Sequence, residues 1–293
     1  MKDFKSIVYV AVGACSYGVL ATIVKYANDL GIKTSALTFL QFFVGFLVLV
    51  LLNRFKKNSG KSEKIKTSSK IKLMIWGTAL GLTTTLYYLS IQYIPVSLGI
   101  ILLMQSIWIS LIIEIFITKK KPSFYKIISV VIALTGTLLA TNIFNQNVII
   151  DFRGLLFGFG AGISYSIAIF ASSSIESQVS SSMRSQYLVL GGLILVILFW
   201  NIDIIKNINL SSLPWGILIA IFGTILPPLL FTKGIPKTGI ALANIIASLE
   251  IPVSILSAII ILNESVAIIQ WIGVLIILIA VVTINKKINS RVS

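Results

Sequence analysis

One carboxylate, Glu250, sits near the middle of a long apolar stretch that runs from Gly239 to Asn285, GIALANIIASLEIPVSILSAIIILNESVAIIQWIGVLIILIAVVTIN. An ionisable group at bilayer depth is costly, and it is kept where it pairs, faces a cavity or moves something across the membrane. At helical spacing its face carries Ala243, Ala247, Ser254 and Ser257, small residues that allow close helix packing or leave space for a ligand. Pro252, two residues further on, removes a backbone donor and frees a carbonyl one turn earlier. Two chemistries suit such a group. It can bind the cationic part of a substrate, or it can take up and release a proton. Desolvation favours the neutral carboxyl and a neighbouring cation favours the carboxylate, so proton and cation can compete for one site.

A second set is aromatic and polar: Tyr17, Tyr165, Tyr87, Tyr88, Gln105 and Trp108. Tyr17 and Tyr165 are flanked by small residues, and Gln105 and Trp108 share one helical face. Rings beside an acid suit an amine or quaternary ammonium through cation-π attraction, or the ring of an aromatic metabolite. Each ring alone also reads as a packing or interface anchor. With Glu250 and Ser254 these six form the expected substrate-binding set, and Glu250 is also the expected proton-coupling residue. The chain has no histidine and a single cysteine, Cys15. No intramolecular disulfide can form, and the commonest metal ligand and proton shuttle are missing. No paired catalytic acids and no nucleotide-binding loop are present, so neither an enzyme nor a cofactor or metal site is expected. Glu114, near the end of its apolar run, is expected to reach Lys119 to Lys121 or lipid headgroups. Asn263 or Glu264 is expected to cap the last helix.

The elements that would position these residues follow from composition. Of 293 residues 57% are hydrophobic and 11% charged, with a mean hydropathy of +1.00, against about a quarter charged in soluble domains. A membrane-crossing helix needs roughly 20 mostly apolar residues. Apolar windows predict spans at about 7–27, 35–53, 71–92, 97–118, 124–141, 153–173, 184–200, 212–232, 239–262 and 267–285. The expected fold is therefore an all-α polytopic membrane protein with ten transmembrane helices. The first run is too long and too poorly bounded for a signal peptide, and reads as an uncleaved span. With a cytoplasmic N-terminus, all of the 24 Lys and Arg except Lys25, Lys33, Arg153 and Lys206 face the cytoplasm, Arg184 counted among the loop cations. That asymmetry predicts a multi-pass protein of the cytoplasmic membrane with both termini in the cytoplasm. It also gives the net charge of +15 a topological meaning, so nucleic acid is not an expected partner.

The halves resemble each other. Ser16-Tyr17 matches Ser164-Tyr165, Trp76-Gly77 matches Trp215-Gly216, and IPVSLGI (Ile94 to Ile100) matches IPKTGIAL (Ile235 to Leu242). Five spans per half is odd, so the halves, 1–146 and 147–293, are expected as two inverted five-helix repeats around a central site. The first half is degenerate: Ser106, Trp108 and Lys120 stand where the second has Glu250, Pro252 and Glu264. The repeat, the Pro-containing links and the closing pattern of Pro252, Glu264, Gln270 and Gly273 resemble the drug/metabolite transporter superfamily, EamA type. The resemblance implies a secondary transporter of small organic metabolites, with export of amino acids or related compounds the commonest case. Uptake of choline or another organic amine is the alternative. Spans 5 and 10 resemble peripheral or dimer-facing helices, which leaves a monomer or a homodimer in the lipid bilayer.

Overall fold

The computed structural model describes residues 4–58, 65–94, 96–141, 151–263 and 266–289. Glu264 lies outside them. The secondary structure among the described residues is helical, with no strand. In chain order the α-helices are α1 (Phe4–Asp29), α2 (Thr34–Asn58), α3 (Thr67–Tyr93), α4 (Val96–Leu103), α5 (Ser106–Thr118), α6 (Phe124–Ala140), α7 (Phe152–Ser174) and α8 (Ser181–Trp200). Then come α9 (Ile202–Asn207), α10 (Leu213–Ala220), α11 (Leu226–Thr238), α12 (Ile240–Ala247), α13 (Glu250–Leu262) and α14 (Ile268–Asn289). Among the described residues seven segments are long and apolar enough to cross a membrane, with Phe4–Asp29, Phe152–Ser174 and Ile240–Leu262 among them, and two shorter apolar helices accompany them. The chain is a multi-pass membrane protein.

Two expected spans are each broken in the middle. Span 4 is α4 and α5, separated at Met104 and Gln105; span 9 is α12 and α13, separated at Ser248 and Leu249. The pieces match element for element. α4 and α12 have 8 residues each, and α5 and α13 have 13 each. Both longer pieces end on a left-handed residue, Lys119 at φ 51° and Asn263 at φ 52°. Adding 144 to a residue number therefore carries Ser106 to Glu250. The sequence reading of one continuous helix through Glu250 is corrected: Glu250 opens α13, and Pro252 sits in its first turn, where no donor is needed. Pro236, expected in a link, instead lies inside the last turn of α11, and the turn to α12 is made by Gly239 at φ 90°, a conformation that glycine adopts without strain.

A third break lies at Ile221–Ile225, a π-helical turn between α10 and α11. Pro227 and Pro228 cannot donate to the carbonyls of Gly223 and Thr224, so the turn before them widens. Neighbouring helices bond to this turn: Ser16 Oγ donates to the Phe222 carbonyl at 2.8 Å, and Thr224 Oγ1 donates to the Gln41 carbonyl of α2 at 2.7 Å. The repeat-related Ser164 donates to the Ala79 carbonyl of α3 at 2.9 Å. The Ser-Tyr pairs seen in sequence thus pin repeat-related helices together.

Contacts at close range fix the helix layout. α3 crosses α8 at Gly77, Gly81 and Gly191, where an added Cβ would run into facing backbone, and at Gly192, where it would meet the Phe42 ring of α2; small residues of this kind let membrane helices approach without the help of a hydrophobic effect. α6 and α14 pair along their lengths, with Gln270 Nε2 donating to the Ala140 carbonyl at 3.1 Å.

The end of the molecule that carries most of the lysines is tightly closed. Glu114 pairs with Lys126, rather than with Lys119 to Lys121 as expected, and its other oxygen accepts from the Ala241 N–H at 2.7 Å. It thereby caps α12 from α5, where a carboxylate also suits the helix dipole. Lys72 of α3 reaches Glu176, beyond α7, at 3.3 Å; the Ser69 hydroxyl and then Lys72 hold the Glu176 carboxyl below its usual range. Arg184, counted in the sequence as a loop cation, is 1% exposed inside the bundle. Its guanidinium donates to the carbonyls of Ile175, Thr232, Ala171 and Ser172 at 3.0, 3.2, 3.4 and 2.7 Å.

Candidate functional site

A cavity of about 720 Å³, its open mouth included, lies between α1, α3, α4, α7 and α13. Its lining combines one acid with four tyrosines: Glu250 with Tyr17, Tyr87, Tyr88 and Tyr165. Ser254, Thr83 and Thr84 add hydroxyls, and Leu80, Ile100, Leu103 and Ile251 add apolar surface. No cationic side chain is among the described lining residues. The α1, α3 and α13 contributions come from mid-depth and from the halves leading toward Asp29, Tyr93 and Leu262. The cavity therefore extends from the centre away from the lysine-rich end.

Each part of the lining has a local cause. The break at Ser248 and Leu249 leaves Glu250 in the first turn of α13, where its carboxylate faces the cavity instead of a continuous helix wall. No ion pair to Glu250 exists among the described residues. Tyr165 is 4% exposed, and its hydroxyl lies beside that carboxylate, within reach of it. Tyr17 stacks edge-on against Tyr165 at 6.3 Å between ring centroids and against Phe231 at 5.8 Å, and these rings floor the cavity toward the lysine-rich end. Tyr87 and Tyr88 stand at 6.1 Å on α3, and the Tyr88 hydroxyl points at Gln41 Oε1, 3.5 Å away. Thr83 and Thr84 turn their hydroxyls onto the Ala79 and Leu80 carbonyls of their own helix, which leaves the tyrosines and Glu250 as the dominant polar groups.

Six of the eight sequence candidates meet here: Glu250, Tyr17, Tyr165, Tyr87, Tyr88 and Ser254. Gln105 and Trp108 do not line the cavity. They repair the break in span 4 instead, with Trp108 Nε1 donating to Gln105 Oε1 at 2.8 Å and Gln105 Nε2 donating to the Ile101 carbonyl at 3.0 Å. Ser257, placed on the Glu250 face by continuous helical spacing, turns away and shares a hydrogen bond of 2.6 Å with Thr22 of α1. Sequence reasoning missed Asn244, which is fully buried and bonded to Ser106 and Ser110. Its signal was available: an amide inside an apolar run is almost as unusual as an acid.

Gly18 sets the depth of Glu250. A Cβ there would meet the Glu250 carbonyl oxygen and, at 2.8 Å, the Val253 Cβ, so α1 and α13 touch backbone to side chain. Gly18→Ala is expected to push the helices apart and to cost about 1–3 kcal/mol as overpacking does. A lowered melting temperature together with weaker ligand binding checks it, and an unchanged protein contradicts it.

Comparison with known proteins follows the same outline. No curated protein matches the sequence. Among solved structures, 28 chains match; one titled "Crystal structure of protein" superposes with a TM-score of 0.79 at 12% identity, covering 98% of this chain and 99% of the other, and so shares the fold. The model of the EamA-like transporter family matches twice, over residues 4–142 and 152–286. With both halves matched, the chain belongs to the EamA-like transporter family.

Proposed function

We propose that this transporter carries a small organic cation, an amine or quaternary ammonium, across the cytoplasmic membrane by alternating access. Glu250 recognises the positive charge and can exchange it for a proton. The single observation that carries this reading is an acid without an ionic partner in a cavity walled by four tyrosines. Carboxylate and ring faces both attract a desolvated cation. Among the metabolites expected of the family, amino acids fit less well, because their carboxylate would enter a lining with no cationic side chain among its described residues.

In this reading the ten expected spans form two inverted five-helix repeats, roughly residues 1–146 and 147–293, with both termini cytoplasmic. The opposed half-helices support it: α5 ends where α12 begins, at the Glu114–Ala241 contact, so the two run in opposite directions. Broken helices at related positions are a recurrent way to build a midplane site in carriers. The protein works as a monomer or homodimer, with the α6 and α14 pair at its periphery.

The test is a thermal-shift panel on purified protein at two pH values, comparing choline and tetramethylammonium with neutral amino acids. A ligand at 100 times its Kd stabilises by about 2.7 kcal/mol, enough to raise the melting temperature by several degrees. The ammonium compounds are expected to stabilise, and to do so less at the lower pH, where protons compete. Stabilisation by amino acids alone would reassign the substrate class.

A further inference from the structure

The register that carries α4 and α5 onto α12 and α13 also relates two helix pairs: α5 with α12, and α13 with α4. By sequence offset Ser106 corresponds to Glu250, Ser110 to Ser254, and Ile100 to Asn244. The two pairs differ in contact. α12 packs against α5, and the centre of that contact is polar. Asn244 Nδ2 donates to the Ser106 carbonyl at 2.7 Å and to Ser110 Oγ at 2.6 Å, while Ser106 Oγ donates to Asn244 Oδ1 at 3.2 Å. α4 and α13 make no comparable packing among the described residues, because the cavity lies between them, lined by Ile100, Glu250 and Ser254. One pair is closed and its counterpart is open.

We propose that Asn244 and Ile100 are the two repeat-related gate residues of this carrier: Asn244 latches the lysine-rich end shut in the state seen here, and Ile100 closes over Glu250 and Ser254 in the alternate state. The proposal rests on the alternating-access reading above. In inverted repeats the alternate state exchanges the conformations of the halves, so α4 approaches α13 as α5 leaves α12. The two closures then differ in what they require. The Asn244 latch is satisfied by the protein alone, because amide and hydroxyls supply each other with donors and acceptors. Closure at Ile100 brings a hydrocarbon side chain onto a carboxylate, and an isolated ionised carboxylate cannot be buried without a large penalty. An occupant that brings positive charge, or a proton taken up by the carboxylate, removes that penalty. The substitution of isoleucine for an amide on the Glu250 side thus makes closure over the cavity depend on a bound cation or a bound proton, and it keeps the carrier that holds neither latched at the lysine-rich end.

The test measures distances across both ends in the full chain, in nanodiscs, with Cys15→Ser as background. One pair of spin labels replaces Lys120 and Lys237 at the lysine-rich end; the other replaces Gln92 and Asn263 at the opposite end. In the otherwise unaltered chain, choline is expected to shorten the Gln92–Asn263 distance and lengthen the Lys120–Lys237 distance by about one helical turn, roughly 5 Å. Asn244→Leu is expected to lengthen the Lys120–Lys237 distance without choline. Ile100→Asn, which gives the open pair the amide of the closed pair, is expected to shorten the Gln92–Asn263 distance without choline. If Asn244→Leu does not fold, Asn244→Ser removes the same donor from Ser110 in a smaller step. Distances that respond to choline but are unchanged in both variants would overturn the gate assignment and leave the carrier reading standing. Distances that never respond, with no choline-induced rise in melting temperature, would overturn both.

Discussion

Glu250→Gln is expected to abolish cation recognition while leaving the fold in place. Glutamine keeps the shape of the side chain and loses only its charge, and no ion pair among the described residues depends on that charge. Stability should therefore change little. Affinity should change a great deal. Two unit charges 4 Å apart interact by about 4 kcal/mol at an effective dielectric near 20, which corresponds to about a thousandfold in Kd. The four tyrosines retain their ring faces, each worth about 0.5–2 kcal/mol toward a cation, so residual weak binding is expected. Radiolabelled choline binding to purified Glu250→Gln protein, with melting temperature as a control, measures both sides of this argument. The variant should also lose pH-dependent exchange in proteoliposomes, since no other acid lines the described cavity. Binding within threefold of the unaltered protein would remove Glu250 from recognition, and full pH-dependent transport would remove it from coupling. Tyr165→Phe separates the neighbouring hydroxyl from the charge: it keeps the ring and deletes the hydroxyl beside the Glu250 carboxylate, so its effect should stay near tenfold, the scale of one hydrogen bond to a charged group at about 1.5 kcal/mol.

The sequence made the acid and the tyrosines legible because cost and rarity single them out in an apolar chain. Hydropathy and lysine distribution located most of the helices for the same reason, and the Ser-Tyr and Trp-Gly pairs revealed the repeat. The breaks were not legible. Continuous spacing through Glu250 placed Ala243, Ala247 and Ser257 on its face, but the turn at Ser248 and Leu249 changes the register, and Ser257 ends on Thr22 instead. One local mark was present: Pro252 has no N–H to give the Ser248 carbonyl. Alone, however, it reads as a freed carbonyl within a continuous helix, and span 4 breaks at Met104 and Gln105 with Trp108 in the corresponding place; Leu249 and its counterpart Gln105 both hold right-handed helical angles. Gln105 and Trp108 shared a face as expected, yet that face satisfies its own helix break. Charge was misleading in one further case, Arg184. A lone arginine near a span end reads as a loop cation, and only the fold shows that four carbonyls converge on it.

Those four carbonyls make Arg184 the site of the largest expected loss of stability. The guanidinium reaches three carbonyls at the end of α7, those of Ala171, Ser172 and Ile175, and one on α11, that of Thr232. Helix ends carry orphan carbonyls and partial negative charge, which a buried cation can satisfy in place of water. Two effects oppose each other in Arg184→Met. Removing the charge relieves its desolvation, and methionine refills much of the volume. The carbonyls, however, lose their donors in a site only 1% exposed, where water cannot substitute, and each buried unsatisfied group costs about 1–3 kcal/mol. With several such groups in one place the second effect wins, and a net loss of about 3–5 kcal/mol is expected, the range seen when a buried charge network is broken. For a chain of this size that is a fall in melting temperature on the order of 10 °C. Arg184→Lys should fall between, because an ammonium keeps the charge but lacks the planar fork that spans α7 and α11 at once. Choline affinity of the surviving folded fraction should be unchanged in both variants, since Arg184 does not line the cavity. A methionine variant as stable as the unaltered protein would show that the α7 end is satisfied without the guanidinium. A lysine variant as unstable as methionine would show that geometry, more than charge, holds α7, α8 and α11 together.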